Sequence, residues 1–272
     1  MRIKYINTGC MRGGQVFPAA GCMEIVKEKD GCDIFVLVEA SENSEDFDSF
    51  KNSIAREGFK LYKSTPHPES NQVMIGVRSQ IKVIGTNELG NVAPQKFTGR
   101  GVGANSVASS EVAHPNYLRV TIELNDEPTD IIGGRIPHYG QFKNGNAPTP
   151  KCYNAELCSF RQMLEALERD LNSDHKAVLL MDGNNALHYG DFYGPYDPNN
   201  YIGKAQKNYN FHVLRDELYM RNLILKEGIN DSSWHNGIHL DHAFFKKFDI
   251  NAIKAEFFYK EGFDHKGISI TI

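Results

Sequence analysis

Residues 177–185 read Ala-Val-Leu-Leu-Met-Asp-Gly-Asn-Asn (AVLLMDGNN), five apolar residues that run into a carboxylate and then a turn. An unbroken apolar run of this length, closed by Gly and Asn, reads as a strand buried on both faces. Such strands belong to the middle of a sheet covered by other layers. Asp182 ends the run, so its side chain is displayed at the sheet rim on a rigid support. The same pattern recurs along the chain. Ile3–Asn7 (IKYIN) ends in Asn7, and DIFVLVEA (33–40) carries Glu39 near its end. HLDHAFF (239–245) carries Asp241, and Asp264-His265 stands before a final apolar strand, Gly267–Ile272.

Outward from these, further short runs rich in Val, Ile and Phe predict strands at Phe59–Lys63, Gln72–Arg78, Ile81–Gly85, Tyr117–Leu124 and Thr129–Pro137. Helices are predicted between them. Glu45–Arg56 sets Phe47, Phe50 and Ile54 on one face, and Glu156–Leu171 repeats Leu157, Phe160, Leu164, Leu167 and Leu171 at helical spacing. Ala19–Lys29 and Tyr209–Tyr219 are shorter candidates. Strands and helices interleave without a linker or repeat. The expectation is one α/β domain over residues 1–272, two sheets packed face to face with helices outside.

The 272 residues carry 30 Lys+Arg against 34 Asp+Glu, a formal net charge of −4, with 40% hydrophobic and 24% charged residues. This is ordinary globular composition, which excludes disorder, collagen and a disulfide scaffold. No apolar run approaches the ~18 residues of a membrane helix, so no membrane role is expected. The five cysteines (Cys10, Cys22, Cys32, Cys152, Cys158) are an odd number without a CxxC pair, the pattern of free thiols in a reducing compartment. The start MRIKYINTG reads as a strand rather than a signal peptide, and the expectation is a cytoplasmic protein.

Oxygen ligands gathered at strand ends are what a hard divalent cation requires. Mg²⁺ takes one or two carboxylates and completes its shell with water and substrate phosphate. Taken in order, the elements resemble the endonuclease/exonuclease/phosphatase superfamily of metal-dependent phosphoesterases. Asn7 of IKYIN matches its first motif and Glu39 of DIFVLVEA its second. Asp182 and Asn184 of LLMDGNN match the fourth, Asp241 of HLDHAFF a following element, and Asp264 and His265 of GFDHKGISI the terminal one. Ile6, Gly183 and Phe263 depart from the usual neighbours, but none of them replaces a ligand. The third motif leaves two candidates in GGRIPHYG: Arg135 by motif position and His138 by strand end.

The resemblance implies a four-layer α/β sandwich, two mixed sheets flanked by helices, with the site along one rim. It implies Mg²⁺ or Mn²⁺ held by Glu39 and Asp264 with Asn7 nearby. Asp182 and Asn184 would hold and polarise the attacking water, or share a second ion; His265 would touch the scissile phosphate, and Asp241 would orient His265. Arg135 would contact phosphate, or His138 would contact it or donate a proton. Arg cannot exchange a proton at neutral pH, but it can clamp an anion.

Two long connections bear on substrate. Residues 90–116 contain Lys96 and the glycine-rich Gly99-Arg100-Gly101, which lacks the Lys-Ser/Thr ending of a nucleotide-binding loop. The segment after Asn185 interleaves Tyr193, Tyr196 and other aromatics with Lys204 and Lys207, a composition suited to base stacking and equally to a self-packed loop. Arg100, Tyr193 and Tyr196 are the candidate substrate contacts. His235, His239 and His242 invite a zinc reading, but the Asn236-Gly237 turn breaks the helical spacing it needs. The leading expectation is a nuclease acting on DNA or RNA. The alternatives are hydrolysis of a small phosphorylated metabolite or signalling nucleotide, and a catalytically degenerate binding protein. Oligomeric state is not legible in the sequence.

Overall fold

The computed structural model describes residues 1–9, 17–28, 31–66, 72–89, 115–136, 162–171, 174–183, 214–215, 218–222 and 240–272. One mixed sheet contains β1 (Arg2–Asn7), β2 (Ile34–Ala40), β3 (Phe59–Lys63), β4 (Gln72–Arg78), β11 (Lys254–Phe258) and β12 (Gly267–Thr271), in the order β11-β12-β1-β2-β4-β3. The second contains β5 (Val83–Glu88), β6 (Asn116–Leu124), β7 (Glu127–Arg135), β8 (Lys176–Asp182), β9 (Arg221–Asn222) and β10 (Asp241–Lys246), in the order β5-β6-β7-β8-β10-β9. The β1–β2 and β7–β8 pairs are parallel and the other pairs antiparallel.

Alternation along the strands builds the core. Ile3 and Tyr5, Val36 and Val38, and Val73 and Ile75 turn inward from the first sheet. They meet Leu118, Val120, Ile131, Val178, Leu180 and Ala243 from the second. The opposite faces take the helices. Helix α1 (Ala19–Lys27) and helix α2 (Phe47–Arg56) cover the first sheet through Cys22, Ile25, Phe47, Phe50 and Ile54. The helical residues 162–171 cover the second through Met163, Leu164, Leu167 and Leu171. The four-layer arrangement expected from sequence is therefore the one observed. The sheets approach so closely at Gly133 that a Cβ there would stand 2.4 Å from Val73 Cγ1.

Some boundaries differ from the periodicity. The strand expected at Ile81–Gly85 runs instead over Val83–Glu88, the one at Thr129–Pro137 over Glu127–Arg135, and the one from His239 starts at Asp241. Helix α1 ends at Lys27, with Lys29 of the expected helix outside the described residues, and α2 starts two residues later than expected. Strand β11 was not read from KAEFF, because an edge strand half exposed on both faces lacks the apolar run that marked the others. Most of the expected Tyr209–Tyr219 helix and residues 156–161 of the long helix lie outside the described residues. No helix among the described residues is long and apolar enough to cross a membrane.

Asp170 ties the 162–171 helix to the second sheet. Its carboxylate accepts hydrogen bonds from Tyr117 Oη at 2.7 Å, Asn87 Nδ2 at 2.9 Å and Arg169 Nε at 2.9 Å. Burial by itself would raise its pKa, but the bonds from Arg169 and Tyr117 and the Arg119 charge outweigh it and hold Asp170 below the usual carboxylate range. A carboxylate lowered in the folded state stabilises above the unfolded-state pKa and loses that contribution as pH falls through the folded value. Asp170→Asn is thus expected to cost about 1.5–3 kcal/mol at pH 7, the scale of hydrogen bonds to a charged group. The penalty should shrink below the ordinary aspartate value of 3.8. Urea titrations from pH 7 to pH 3 read both effects, and a penalty independent of pH would contradict the assignment.

Candidate active site

One rim of the sandwich collects the polar strand ends for topological reasons. Because β1 runs parallel to β2, and β7 to β8, Asn7 and Glu39 end at the same rim, as do Arg135 and Asp182. Strand β10 runs back against β8, so Asp241 begins it directly opposite Asp182. Strand β12 runs back against β1, which brings the preceding Asp264-His265 to the end of β1. The period of two then points the side chains. Asn7 shares the inward face with Tyr5, Asp182 with Leu180, and Asp241 with Ala243.

The side chains form a connected cluster. Asn7 Nδ2 donates to Asp182 Oδ2 at 3.1 Å and stands 3.5 Å from His265 Nδ1. Asn7 Oδ1 accepts from the Gly9 amide at 3.0 Å. His265 Nδ1 lies 2.7 Å from Asp241 Oδ2, and Tyr5 Oη donates to Asp241 Oδ1 at 2.7 Å. From the second sheet, Arg135 forms an ion pair with Glu39 and places its Nε 3.8 Å from Asp182 Oδ2. Asn7, Glu39, Arg135, Asp182 and Asp241 are all buried. Gly9 adopts φ +59°, and a Cβ there would come 2.6 Å from Asp264 Oδ1, so the Asp264 carboxylate lies against the end of β1. Phe263 is buried against α1 at Gly21, which anchors the chain just before Asp264.

Glu39 reaches the cluster by a local distortion. Leu37 and Ala40 both face the helical layer, and the β2–β4 register shifts between them. Glu39 itself sits at φ +54°, a region unfavourable for a residue with a side chain. The bulge re-aims the carboxylate from the helix side to Arg135 on the facing sheet. Thr8 holds the kink, its Oγ1 donating to the carbonyls of Glu39 at 2.8 Å and Val38 at 3.2 Å.

Two proton affinities are displaced. Burial, and then the facing Asp241 carboxylate, raise Asp182 from 3.8 to about 7. Burial pushes His265 down, but Asp241, by charge and hydrogen bond, with Asp182 and Asp264 behind it, overrides this and raises it to about 10. The pair therefore combines a carboxylate that exchanges a proton near neutrality with an imidazole held in its charged form.

Of the residues singled out in the sequence, the structure brings together Asn7, Glu39, Arg135, Asp182, Asp241, Asp264 and His265. Asn184, His138, Arg100, Tyr193 and Tyr196 lie outside the described residues. His242 is buried on the other face of β10, with its ring centroid 5.9 Å from that of Phe244, as the strand alternation predicts. Tyr5 and Thr8 were missed. The available signal for Tyr5 was its position two residues before Asn7, hence on the same face of the strand.

The donor set bears on a metal. Among the described residues no group of three or more His, Cys, Asp or Glu side chains converges on one point. Of the rim's carboxylates, the candidate ligands are Glu39 near the end of β2 and Asp264, just before β12 and against the end of β1, with the Asn7 carboxamide beside them. An all-oxygen set of this size fits Mg²⁺ or Mn²⁺, which complete their shells with water and phosphate, better than Zn²⁺. Glu39 moreover already carries a cation, the Arg135 guanidinium.

No protein-family model and no curated protein matches the sequence. Solved structures match it over its whole length. A 3′-5′ exonuclease from Neisseria meningitidis is 14% identical with a TM-score of 0.62, covering 100% of this chain and 99% of its own. An AP endonuclease from Archaeoglobus fulgidus is 14% identical with a TM-score of 0.61, covering 100% and 98%. An endonuclease/exonuclease/phosphatase from Bacteroides vulgatus is 11% identical with a TM-score of 0.62, covering 99% and 97%. With the sheet order and the rim cluster described above, this likeness establishes that the chain has the fold of the endonuclease/exonuclease/phosphatase superfamily.

Proposed function

We propose that the chain is a phosphodiesterase dependent on Mg²⁺ or Mn²⁺ that hydrolyses phosphodiester bonds in DNA or RNA. The observation that supports this reading is the pair of hydrogen-bonded groups Asn7–Asp182 and Tyr5–Asp241–His265, brought side by side at one rim from distant parts of the sequence. Two of the similar structures are nucleases by name.

A bound ion would be held by Glu39 and Asp264 with Asn7 nearby, and it would supply Lewis-acid neutralisation of the charge that builds on phosphate. The protein's own groups do the rest. Asp182, raised to about 7, accepts a proton from the attacking water, and Asn7 fixes its Oδ2. Asn184 would share in positioning that water. His265, kept charged by Asp241, presents Nε2 to a non-bridging oxygen as a hydrogen-bond donor. Tyr5 holds the second oxygen of Asp241, so that carboxylate cannot rotate away from the ring. Arg135, or His138, would contact the phosphate.

A Mg²⁺/Mn²⁺ panel of duplex and single-stranded DNA, RNA, an abasic duplex, cyclic dinucleotides and inositol phosphates tests the reading. Turnover of polynucleotide is expected, and binding without turnover of any member would identify a degenerate binder. The formal charge of −4 marks no clear polynucleotide track, which leaves a second reading, a small phosphorylated metabolite or signalling nucleotide. Affinity measured with catalytically impaired Asp182→Asn separates the two. If Tyr193 and Tyr196 stack bases, replacing both with Ala should cost about 1–3 kcal/mol per stacked base. If Arg100, Lys96, Lys204 and Lys207 meet phosphates, the affinity of a polynucleotide should fall steeply with salt. A flat salt response with unchanged affinity in the Tyr193/Tyr196 variant would select the small substrate.

A further inference from the structure

We propose that Arg135 is a built-in competitor for the divalent ion. Its guanidinium occupies Glu39 in the ion-free protein and must leave before an ion can bind there. The inference rests on the reading of Glu39 as an ion ligand.

The way Arg135 is held distinguishes it from Arg78 and Arg169. Arg78 donates from Nε to the Cys32 carbonyl at 3.1 Å and from Nη1 to the Glu57 carbonyl at 2.7 Å. Arg169 donates from Nη1 and Nη2 to the carbonyls of Leu89 at 3.1 Å and Glu88 at 2.8 Å. These backbone bonds lock the side chain whatever charge is nearby. Arg135 makes no such bond among the described residues. Its partners there are two carboxylates, Glu39 and Asp182, and its buried Nε lacks a hydrogen-bond partner. A buried cation set against two carboxylates of the catalytic rim, with no backbone anchor, takes the electrostatic place of a metal ion.

The arrangement has a use in each state. Without an ion, the guanidinium spares Glu39 the cost of a buried, unpaired charge. The apparent ion affinity is then the intrinsic one multiplied by the fraction of molecules in which Arg135 has left Glu39. Once displaced, the guanidinium is a fork able to take two oxygens of a phosphate. One event therefore admits the ion and delivers a clamp for the substrate, which couples their binding.

Nitrogen-15 NMR of arginine side chains during titration of the wild-type protein with Mg²⁺ tests this directly. The Arg135 guanidinium signals should shift and saturate together with ion binding measured by calorimetry. In parallel, Arg135→Gln should bind Mn²⁺ roughly tenfold or more tightly than wild type, the factor expected if about a tenth of wild-type molecules are open. Arg135 signals unmoved at saturating Mg²⁺ would overturn the proposal, even with tighter binding in Arg135→Gln, because that combination is repulsion without displacement. Should Arg135→Gln fail to fold, the wild-type titration decides alone. Glu39→Gln separates the failures. If it leaves Mn²⁺ affinity unchanged, Glu39 is no ligand and the metal assignment falls together with the competition. If it abolishes binding while wild-type Arg135 stays in place, the competition alone falls.

Discussion

His265→Ala is expected to lower kcat by about 10²–10⁴, the scale of lost acid–base and hydrogen-bond assistance. The ring lies 2.7 Å from Asp241 and is raised to about 10, so wild type would present a charged donor to a phosphate throughout the neutral range. Asp241→Asn should cost less, because it removes orientation and charge support while the imidazole remains. The double variant should be little worse than His265→Ala by itself, since groups that act as one unit are not additive. Single-turnover rates for the four proteins of this cycle check the claim. Independent, multiplicative losses would show that Asp241 does not serve His265. Tyr5→Phe belongs to the same chain and should reproduce a weaker form of the Asp241 defect, because it frees one carboxylate oxygen from its 2.7 Å bond.

Removal of divalent ions is expected to bring turnover below detection, and Mg²⁺ or Mn²⁺ to restore it. Phosphate presents negative charge to a rim that already holds Glu39, Asp182, Asp241 and Asp264, with Arg135 and His265 as the described cations beside them. An anionic substrate would meet net repulsion there unless a further cation enters. Glu39→Gln should weaken ion affinity by at least the 10–100-fold typical of losing an outer-shell partner, and excess Mn²⁺ should recover part of the rate. Full turnover in a chelated sample verified to be metal-free would refute the mechanism. A wild-type rate and ion requirement in Glu39→Gln would remove that residue from the site.

Much of this arrangement was legible in the residues. Apolar runs such as AVLLM and IFVLV are buried wherever they pair, so their identity as strands needed no tertiary information, whereas their places in the sheets came from the pairing. The polar residue that closes each run is forced to a sheet end. A period of two also puts Asn7 on the face of Tyr5, Asp182 on that of Leu180 and Asp241 on that of Ala243, and the packing of the two sheets turns those faces inward. That these ends share a single rim follows from strand direction, which a resemblance can suggest and local sequence does not encode.

Glu39 marks where sequence reading stopped. Strict alternation through Phe35 and Leu37 puts it on the helical side of β2, away from every other candidate. Only the paired β4, whose register slips between Leu37 and Ala40, and the Thr8 hydroxyl, which holds the carbonyls of Val38 and Glu39, turn it to φ +54° and across to the facing sheet. Arg135 is the second case. Its motif position implied a phosphate contact, and nothing local to GGRIP announced the ion pair with Glu39, because its carboxylate partners lie 96 residues back on one sheet and 47 ahead on a neighbouring strand. Burial and strand identity come from short-range composition and were set by the sequence. The aim of a charged side chain depends on which opposite charge the fold brings within a few ångströms, and the tertiary structure decided it.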